Sequence, residues 1–444
     1  MLDPDNNQIT DENQLCDVAQ NYFVDLFQEQ INDIEPVIEA IEASIFVDDN
    51  NNLLAPFVIS EFKEAPFSMK ADKCPGPDVF NSGIFQKIWA FCGEELFHQC
   101  CKWLDTSSFP PTLNVTTIAL ILKGGSQTSM KDWRPIALCN VIYKVVAKVL
   151  ANRLKVVLNK CISNSQSAFV PGRSILDNAM AAIEIIHYKK SKVKGTLGDV
   201  ALKLYISKAY DIIDWSYLKG VMIKMGFSDR WINWIMICIK TVDYSVLVND
   251  NIIGPITPGR GLRQGDPLSP YLFIICAEGL STLIRKGEAR GDINVVKVCT
   301  RALIISHLLF VDDCFLFFRA NTNQAEKMKH ILEVYEKASS QAVNLQKLEI
   351  FCNRNVSTAD HNNIANILGV QAVLGTGKYL GLPSMIGRSK KATFNFIKDK
   401  VWKKINLWSS RCLSQSRTRS FNQICPPVYS HIFYEFIYFT VISL

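Results

Sequence analysis

The stretch LLFVDDCFLFF at 308–318 sets two adjacent carboxylates, Asp312 and Asp313, between two apolar arms. Both arms can be buried together only if the chain doubles back at the acids. The segment therefore predicts strand–turn–strand, with the aspartates at the turn. Carboxylates beside a buried hairpin are costly unless they are protonated, paired or bound to a cation. Hard Mg²⁺ takes carboxylate oxygens and leaves positions open for phosphate oxygens. Two such ions, about 3.5–4 Å apart, can clamp the attacking and leaving oxygens of a phosphoryl transfer. An acid pair also occurs in ordinary solvated turns, so this one needs partners before it speaks for that chemistry.

The partners lie upstream. RGLRQGDPLSPYLF at 260–273 places Gly261 and Gly265 around Arg263 and Gln264, ahead of a helix opened by proline. Gly265 permits close backbone approach to a flat or phosphorylated ligand. MKDWRPIALCN at 130–140 sets Arg134 beside Lys131 on an extended segment, and arginine offers a planar fork to phosphate oxygens. Charge is unevenly spread. Residues 1–50 hold 13 acids and no Lys or Arg, residues 123–160 hold eight Lys or Arg and one acid, and residues 386–420 hold ten and one acid. Two basic tracts behind an acidic head suggest a polyanion partner, although solvated helix faces would look the same.

Apolar spacing predicts helices over 13–45, 82–104, 141–158, 177–190, 207–226, 267–287, 322–340 and a basic one at 391–413. Strands are predicted at 116–122 and in VALKLYI, and a hairpin with a loop at 244–260; DDNNN at 48–52 reads as a loop. With 48% hydrophobic and 20% charged residues the chain is globular rather than disordered. The 14 cysteines include no Cys-x-x-Cys pair and no zinc-spaced cluster; they read as free thiols of a reducing compartment, cytoplasm or nucleus. MLDPDNNQIT lacks the basic and apolar regions of a signal peptide.

Taken together, KDWRPIALCNVIYKVVAKVLANRL, NSQSAFVPGRSILDN, SKAYD, RGLRQGDPLSPYLF, FVDD and KYLGLPSMIGR follow one another as in the reverse transcriptase of plant non-LTR (LINE-type) retrotransposons. The chain resembles that family over about residues 10–415. The resemblance implies an α+β right-hand polymerase with an antiparallel palm sheet and helical fingers and thumb. It divides the chain into an acidic linker region (1–70), fingers (71–200), palm (201–350), palm end and thumb (351–415) and an aberrant tail (416–444). It implies an RNA template, a DNA primer, dNTP and two Mg²⁺ ions, and no membrane. Asp312 and Asp313 would be catalytic and metal-binding. Lys123, Arg134, Tyr210, Gln264, Gly265 and Lys347 would meet the nucleotide, with Tyr210 under its sugar. Arg173, Arg263, Lys398, Lys403 and Lys404 would contact nucleic acid, Arg173 alternatively bracing the fingers.

Several positions depart from the family pattern. The family motif Leu-Asp-Met-Ser-Lys-Ala-Tyr-Asp reads LYISKAYD here, so Tyr205 replaces the third catalytic aspartate. A phenol with a pKa of about 10 is neutral at pH 7 and ligates Mg²⁺ poorly. Asp211 and Asp214 are expected on the following helix, out of reach of the vacancy. Family glycines are replaced by Val79 and Ser340, a family alanine by Val311 (tolerable in a buried strand), a serine by Leu348 and a proline by Leu122. The greasy end, VYSHIFYEFIYFTVISL, is short for a membrane span and carries His431 and Glu435. Residues 419–436 are close to the family's continuation read one base out of register, which predicts a shifted-frame tail that packs poorly. The family's endonuclease and its downstream Cys/His-rich and RNase H-like regions have no counterpart in the sequence. These departures predict a truncated, partly degenerate copy with a damaged centre. The alternative is a silent nucleic-acid-binding remnant or pseudogene product.

Overall fold

The structure is a computed structural model. It describes residues 9, 11–123, 129–191, 198–294, 305–344, 348–353 and 355–370, short pieces at 372–373, 378–380 and 382–383, and residues 395, 398, 399 and 402. In chain order the first elements are α1 (Glu12–Phe27), α2 (Glu35–Ile38), α3 (Val47–Leu53), α4 (Ile59–Phe67), α5 (Ser82–Asp105), β1 (Val115–Leu122), β2 (Trp133–Cys139), α6 (Val141–Cys161), α7 (Ile175–Ser191) and β3 (Asp199–Tyr205). Then come α8 (Trp215–Met225), α9 (Asp229–Lys240), β4 (Asp243–Val248), β5 (Asn251–Ile256), α10 (Ser269–Ala289), β6 (His307–Phe310), β7 (Asp313–Arg319), α11 (Thr322–Ser339), β8 (Glu349–Cys352), α12 (Thr358–Leu368) and β9 (Ala372–Val373).

Two sheets organise these elements. The larger runs β6–β7–β3–β8–β9, with β3 antiparallel to both β7 and β8. β3 and β7 are buried along nearly their whole length, as strands covered on both faces must be. That burial explains why the arms around the acids carry Leu308, Leu309, Phe315 and Phe317 rather than an alternating pattern. The smaller sheet runs β2–β1–β4–β5, with β1 parallel to β4. α1 closes one face of it, where Phe27 meets Tyr244 at a ring separation of 4.9 Å.

Three expectations need correction. DDNNN is not a loop but most of α3, because Asp49 accepts the Phe46 amide at 3.2 Å and Lys160 Nζ at 2.6 Å, fixing the turn to α6. The helix expected over 207–226 starts only at Trp215, with Asp214 as its N-cap accepting the Tyr217 amide at 2.6 Å. The acidic head, expected as a linker region, is helical and packed on α6. Its α3–α4 connection is held by Arg153 of α6, which bonds Glu61 at 2.7 Å and the Leu53 carbonyl at 2.9 Å. Contacts divide the chain into residues 1–384 and 385–444. The tail after Gln415, with its shifted-frame reading, lies outside the described residues, as does most of the basic stretch 391–413. No helix among the described residues is long and apolar enough to cross a membrane.

Candidate active site

The acid turn joins β6 to β7 as expected. Phe310 pairs with Asp313, leaving Val311 and Asp312 to make the reversal. Asp312 is exposed and Asp313 half-buried, with its Oδ1 enclosed. Val311 does not lie in a strand; it takes φ +56°, a left-handed conformation that a β-branched side chain adopts only under strain.

Tyr205 stands beside this turn. It is the last residue of β3 and the ladder partner of Asp313, and the next amide, Ile206 N–H, donates to the Asp312 carbonyl at 3.1 Å. Burial pushes the phenol above its ordinary value of 10.0. The negative charges of Asp313 and Glu349 push the same way, against a hydrogen bond from Lys203. Lys203 is itself buried, with Nζ 4.9 Å from the Tyr205 ring centroid and 3.2 Å from Glu349. The Tyr205 side chain is therefore neutral at pH 7.

Neither nearby acid moves into that position, though the reason differs from the expected one. Asp211 sits in a tight turn, its amide donating to the Lys208 carbonyl at 2.9 Å, and its Oδ1 accepts Gln264 Nε2 at 2.8 Å. Asp214 is used as the α8 cap and also accepts Asn32 Nδ2 at 3.0 Å. The donor set at the turn is thus two carboxylates and a neutral phenol. Among the described residues no three His, Cys, Asp or Glu side chains are grouped to hold a metal ion. For a pair of divalent cations this is one carboxylate fewer than the three the family resemblance implies.

An open cavity of about 880 Å³ leads away from the turn and is lined by Asp312, Tyr205, Tyr210, Gln264, Lys123 and Arg134, among others. Lys123 directly follows β1; its amide donates to the Asp132 carbonyl at 2.9 Å and its Nζ to the Lys131 carbonyl at 2.8 Å. Arg134 faces solvent on β2 opposite Ile121. Tyr210 lies flat on Phe273, 4.8 Å between centroids and 18° between planes, which makes its ring a rigid wall. Gly265 takes φ +113°, and a Cβ there would come within 3.1 Å of the Ala137 carbonyl oxygen. The Gln264 carbonyl accepts the Ala137 amide at 2.8 Å, stitching this loop to β2.

Sequence reasoning missed three members of this wall: Lys131, Lys208 and Asp211. Burial raises the Asp211 carboxyl to about 6, against the opposing effects of the Gln264 hydrogen bond and the charges of Lys123, Lys208 and Arg134. Burial lowers Lys208; the charges of Lys131 and Lys123 lower it further, while Asp211 raises it. The motif SKAYD contained the signal for two of them, but their convergence needs the left-handed turn at Lys208, φ +47°.

Two predicted nucleic-acid contacts have partners within the protein itself. Arg263 is 4% exposed; it pairs with Asp266 at 2.9 Å, donates to the Cys238 carbonyl at 2.7 Å and lies 4.0 Å over the Tyr143 ring. Arg173 gathers the carbonyls of Ser163, Gln166 and Ile162, so of its two expected roles it takes the bracing one. Lys398 is an exposed helical residue. Lys347, Lys403 and Lys404 lie outside the described residues.

Comparison with known proteins agrees with this geometry. Residues 121–383 match the family described as reverse transcriptase (RNA-dependent DNA polymerase). Over 345 residues the chain is 28% identical to the Transposon TX1 uncharacterized 149 kDa protein of Xenopus laevis, covering 77% of this chain and 26% of that protein. Over 196 residues it is 26% identical to a retrovirus-related Pol polyprotein from type-1 retrotransposable element R2 of Popillia japonica, covering 44% of this chain and 27% of that protein. Over 67 residues it is 51% identical to an uncharacterized mitochondrial protein of Arabidopsis thaliana, 15% of this chain and 55% of that protein. The chain spans about a quarter of the length of the two transposon-encoded relatives. The family match runs from the end of β1 through the acid hairpin to residue 383, across an α+β body of the right-hand polymerase kind, and so the chain belongs to the reverse transcriptase (RNA-dependent DNA polymerase) family, with a domain like those of non-LTR retrotransposon proteins.

Proposed function

We propose that this is the RNA-directed DNA polymerase domain of a plant LINE-type element whose nucleotide and nucleic-acid surfaces persist while nucleotidyl transfer is crippled at Tyr205. The plant origin is supported by the 51% identity to the Arabidopsis protein. The expected partners are an RNA template, a DNA primer and dNTP. Lys123 and Arg134, with Lys131 and Lys208, meet the triphosphate; Tyr210, backed by Phe273, limits the space under the sugar. Gln264 and Gly265 offer a polar side chain and an unobstructed backbone to the nucleotide. Attack of the primer 3′-hydroxyl on the dNTP needs its developing charge neutralised. At the floor stand two acids and a phenol that burial keeps protonated.

The observation that carries the reading is the ladder pairing of Tyr205 with Asp313. The test is primer extension on an RNA template by the purified chain and by Tyr205→Asp. The variant is expected to extend at least about a hundredfold faster, the scale of restoring one electrostatic group at a reacting centre. Extension by the native chain at the variant's rate would overturn the reading. The same pairing favours a second reading, a catalytically silent nucleic-acid-binding remnant. Salt-dependent binding of template–primer with no extension by either protein would select it.

A further inference from the structure

The acidic head reaches the cation wall of the cavity through a neutral ring. Residues 1–50 hold no Lys or Arg, yet Lys208 Nζ lies 4.8 Å from the ring centroid of Tyr22 on α1. Burial, together with the charges of Asp211 and Asp132, pushes the Tyr22 phenol up to about 12, so it carries no charge at pH 7. The ring is fixed from two sides. Phe23 and Phe27 of α1 are buried against the smaller sheet and stack on each other at 5.8 Å, and Tyr22 meets Phe23 edge-on at 5.1 Å. The end of α1 is tied to the 259–260 loop, where the Gly259 amide donates to the Phe27 carbonyl at 2.8 Å and Arg260 Nε to the Leu26 carbonyl at 2.9 Å. A Cβ at position 259 would come within 2.9 Å of the Glu29 nitrogen, so helix and loop touch directly.

Lys208 needs such a hold. It shares the wall with Lys123, Lys131 and Arg134. Burial disfavours its charge most; the Asp211 charge favours it, and those of Lys131, Lys123 and Arg260 oppose it. A lysine stem is flexible, so an ammonium among like charges swings to solvent unless something restrains it. Asp211 gives its Oδ1 to Gln264 Nε2 at 2.8 Å, and among the described residues no carboxylate pairs with Lys208. An aromatic face attracts an ammonium through its quadrupole and leaves the positive charge in place. A carboxylate there would hold Lys208 as well, but it would cancel the charge that a phosphate needs. The backbone supplies the direction. Lys208 takes φ +47°, and the Ser207 amide bonded to the Ala342 carbonyl at 2.8 Å and the Asp211 amide bonded to the Lys208 carbonyl at 2.9 Å impose that turn.

We propose that Tyr22 is a positioning residue of the nucleotide site: its ring holds Lys208 Nζ against the repulsion of Lys123 and Lys131, so that the triphosphate meets Lys208 as a fixed, uncancelled charge. The inference rests on the reading of this wall as the one that meets the triphosphate. It gives the acidic head a part in nucleotide binding that its own charges would oppose. A contact that merely glued α1 to the 207–213 turn would affect folding and leave the anion affinity of the folded chain alone.

The test is titration calorimetry of the full chain with inorganic triphosphate at low salt. Tyr22→Leu is expected to weaken binding about fivefold, the scale of one partly buried cation–aromatic contact. Tyr22→Phe keeps the ring and should stay within about twofold of the native chain. In a Lys208→Ala background Tyr22→Leu should cost nothing further, because the pair then has no contact to lose. Lys219→Ala, an exposed lysine of α8, is the charge control and should leave the affinity unchanged. Thermal melting checks each fold. If Tyr22→Leu melts early, NMR of the chain with its lysines methylated with carbon-13 decides on native protein. The Lys208 methyl signal, identified as the one missing from Lys208→Arg, should lie upfield of ordinary lysines, as over a ring face, and should move on adding triphosphate. A Lys208 signal at the ordinary position, native affinity in folded Tyr22→Leu, or an equal loss with and without Lys208 overturns the positioning role. An affinity that Lys208→Ala leaves unchanged overturns instead the reading of this wall as the nucleotide's.

Discussion

The floor and the far wall of the cavity respond differently to sequence change. At the floor stands Tyr205, and the β3–β7 ladder runs in register through Leu204 and Cys314 to Tyr205 and Asp313. A ladder is made by main-chain groups and by burial on both faces, so it tolerates a tyrosine at its last rung. Under the proposed reading the chemistry does not, because it would depend on charge at that one side chain. On the far wall the cations Lys123, Lys131, Arg134 and Lys208 are arranged around the buried carboxyl of Asp211 and the Gln264 amide. Geometry and charge separate at the floor and stay together at the wall.

Four substitutions sharpen this contrast, beyond the restoring change at Tyr205. The largest effect is expected from Arg263→Met. It leaves Asp266 buried without its cation, a loss of about 3–5 kcal/mol in urea unfolding. A loss below about 1 kcal/mol would mean that the loop carrying Gln264 does not depend on this pair. Next is Asp211→Asn. The Asp211 carboxyl is raised in the fold, so its charged form costs stability above pH 6, and the cost fades as pH falls through about 6 toward the unfolded value. The asparagine variant should therefore be more stable by about 2–3 kcal/mol at pH 8 and equal near pH 4. A pH-independent difference would show that Asp211 acts through shape rather than charge.

The smallest effects belong to positions far from the cavity wall. Val79 holds φ +62° and is 79% exposed, so Val79→Gly relieves left-handed strain with little packing lost. It should stabilise by about 1 kcal/mol. Ser340 also takes φ +62°, as the α11 C-cap, but its Oγ accepts Asn32 Nδ2 at 2.8 Å. Ser340→Gly trades strain for that bond and should fall within about 0.5 kcal/mol of the native chain. Equal gains at both positions would remove the hydrogen bond from the account.

Much of this was legible from residue order. The acid hairpin, the strands either side of it and the basic helix α6 follow from apolar periodicity, and Lys123, Arg134, Gln264 and Gly265 at one cavity follow from the family resemblance. The expectation that Asp211 stays away from the acid turn also stood, but on the wrong element. Helical periodicity could not reveal that residues 207–213 form a turn, because its direction is set by Gly261 packing against the Asp211 carbonyl, where a Cβ would sit at 2.4 Å. Arg263 and Arg173 looked like ligands of phosphate because a linear motif does not report which guanidinium is buried. DDNNN looked like a loop because the lysine that steadies α3 lies at position 160.

By itself the sequence determined which backbone could be buried and therefore that two acids must meet at a hairpin tip, since apolar runs and turn residues act over a few neighbours. It also determined that position 205 carries a phenol and not a carboxylate, a matter of side-chain identity alone. Only the tertiary structure decided that Tyr205 lies opposite Asp313, which arginines are spent on the scaffold, and that Asp211 sits among the cations. Those depend on pairings between residues as many as 149 positions apart, such as Arg263 with Asn114, and burial and charge there are properties of the assembled neighbourhood.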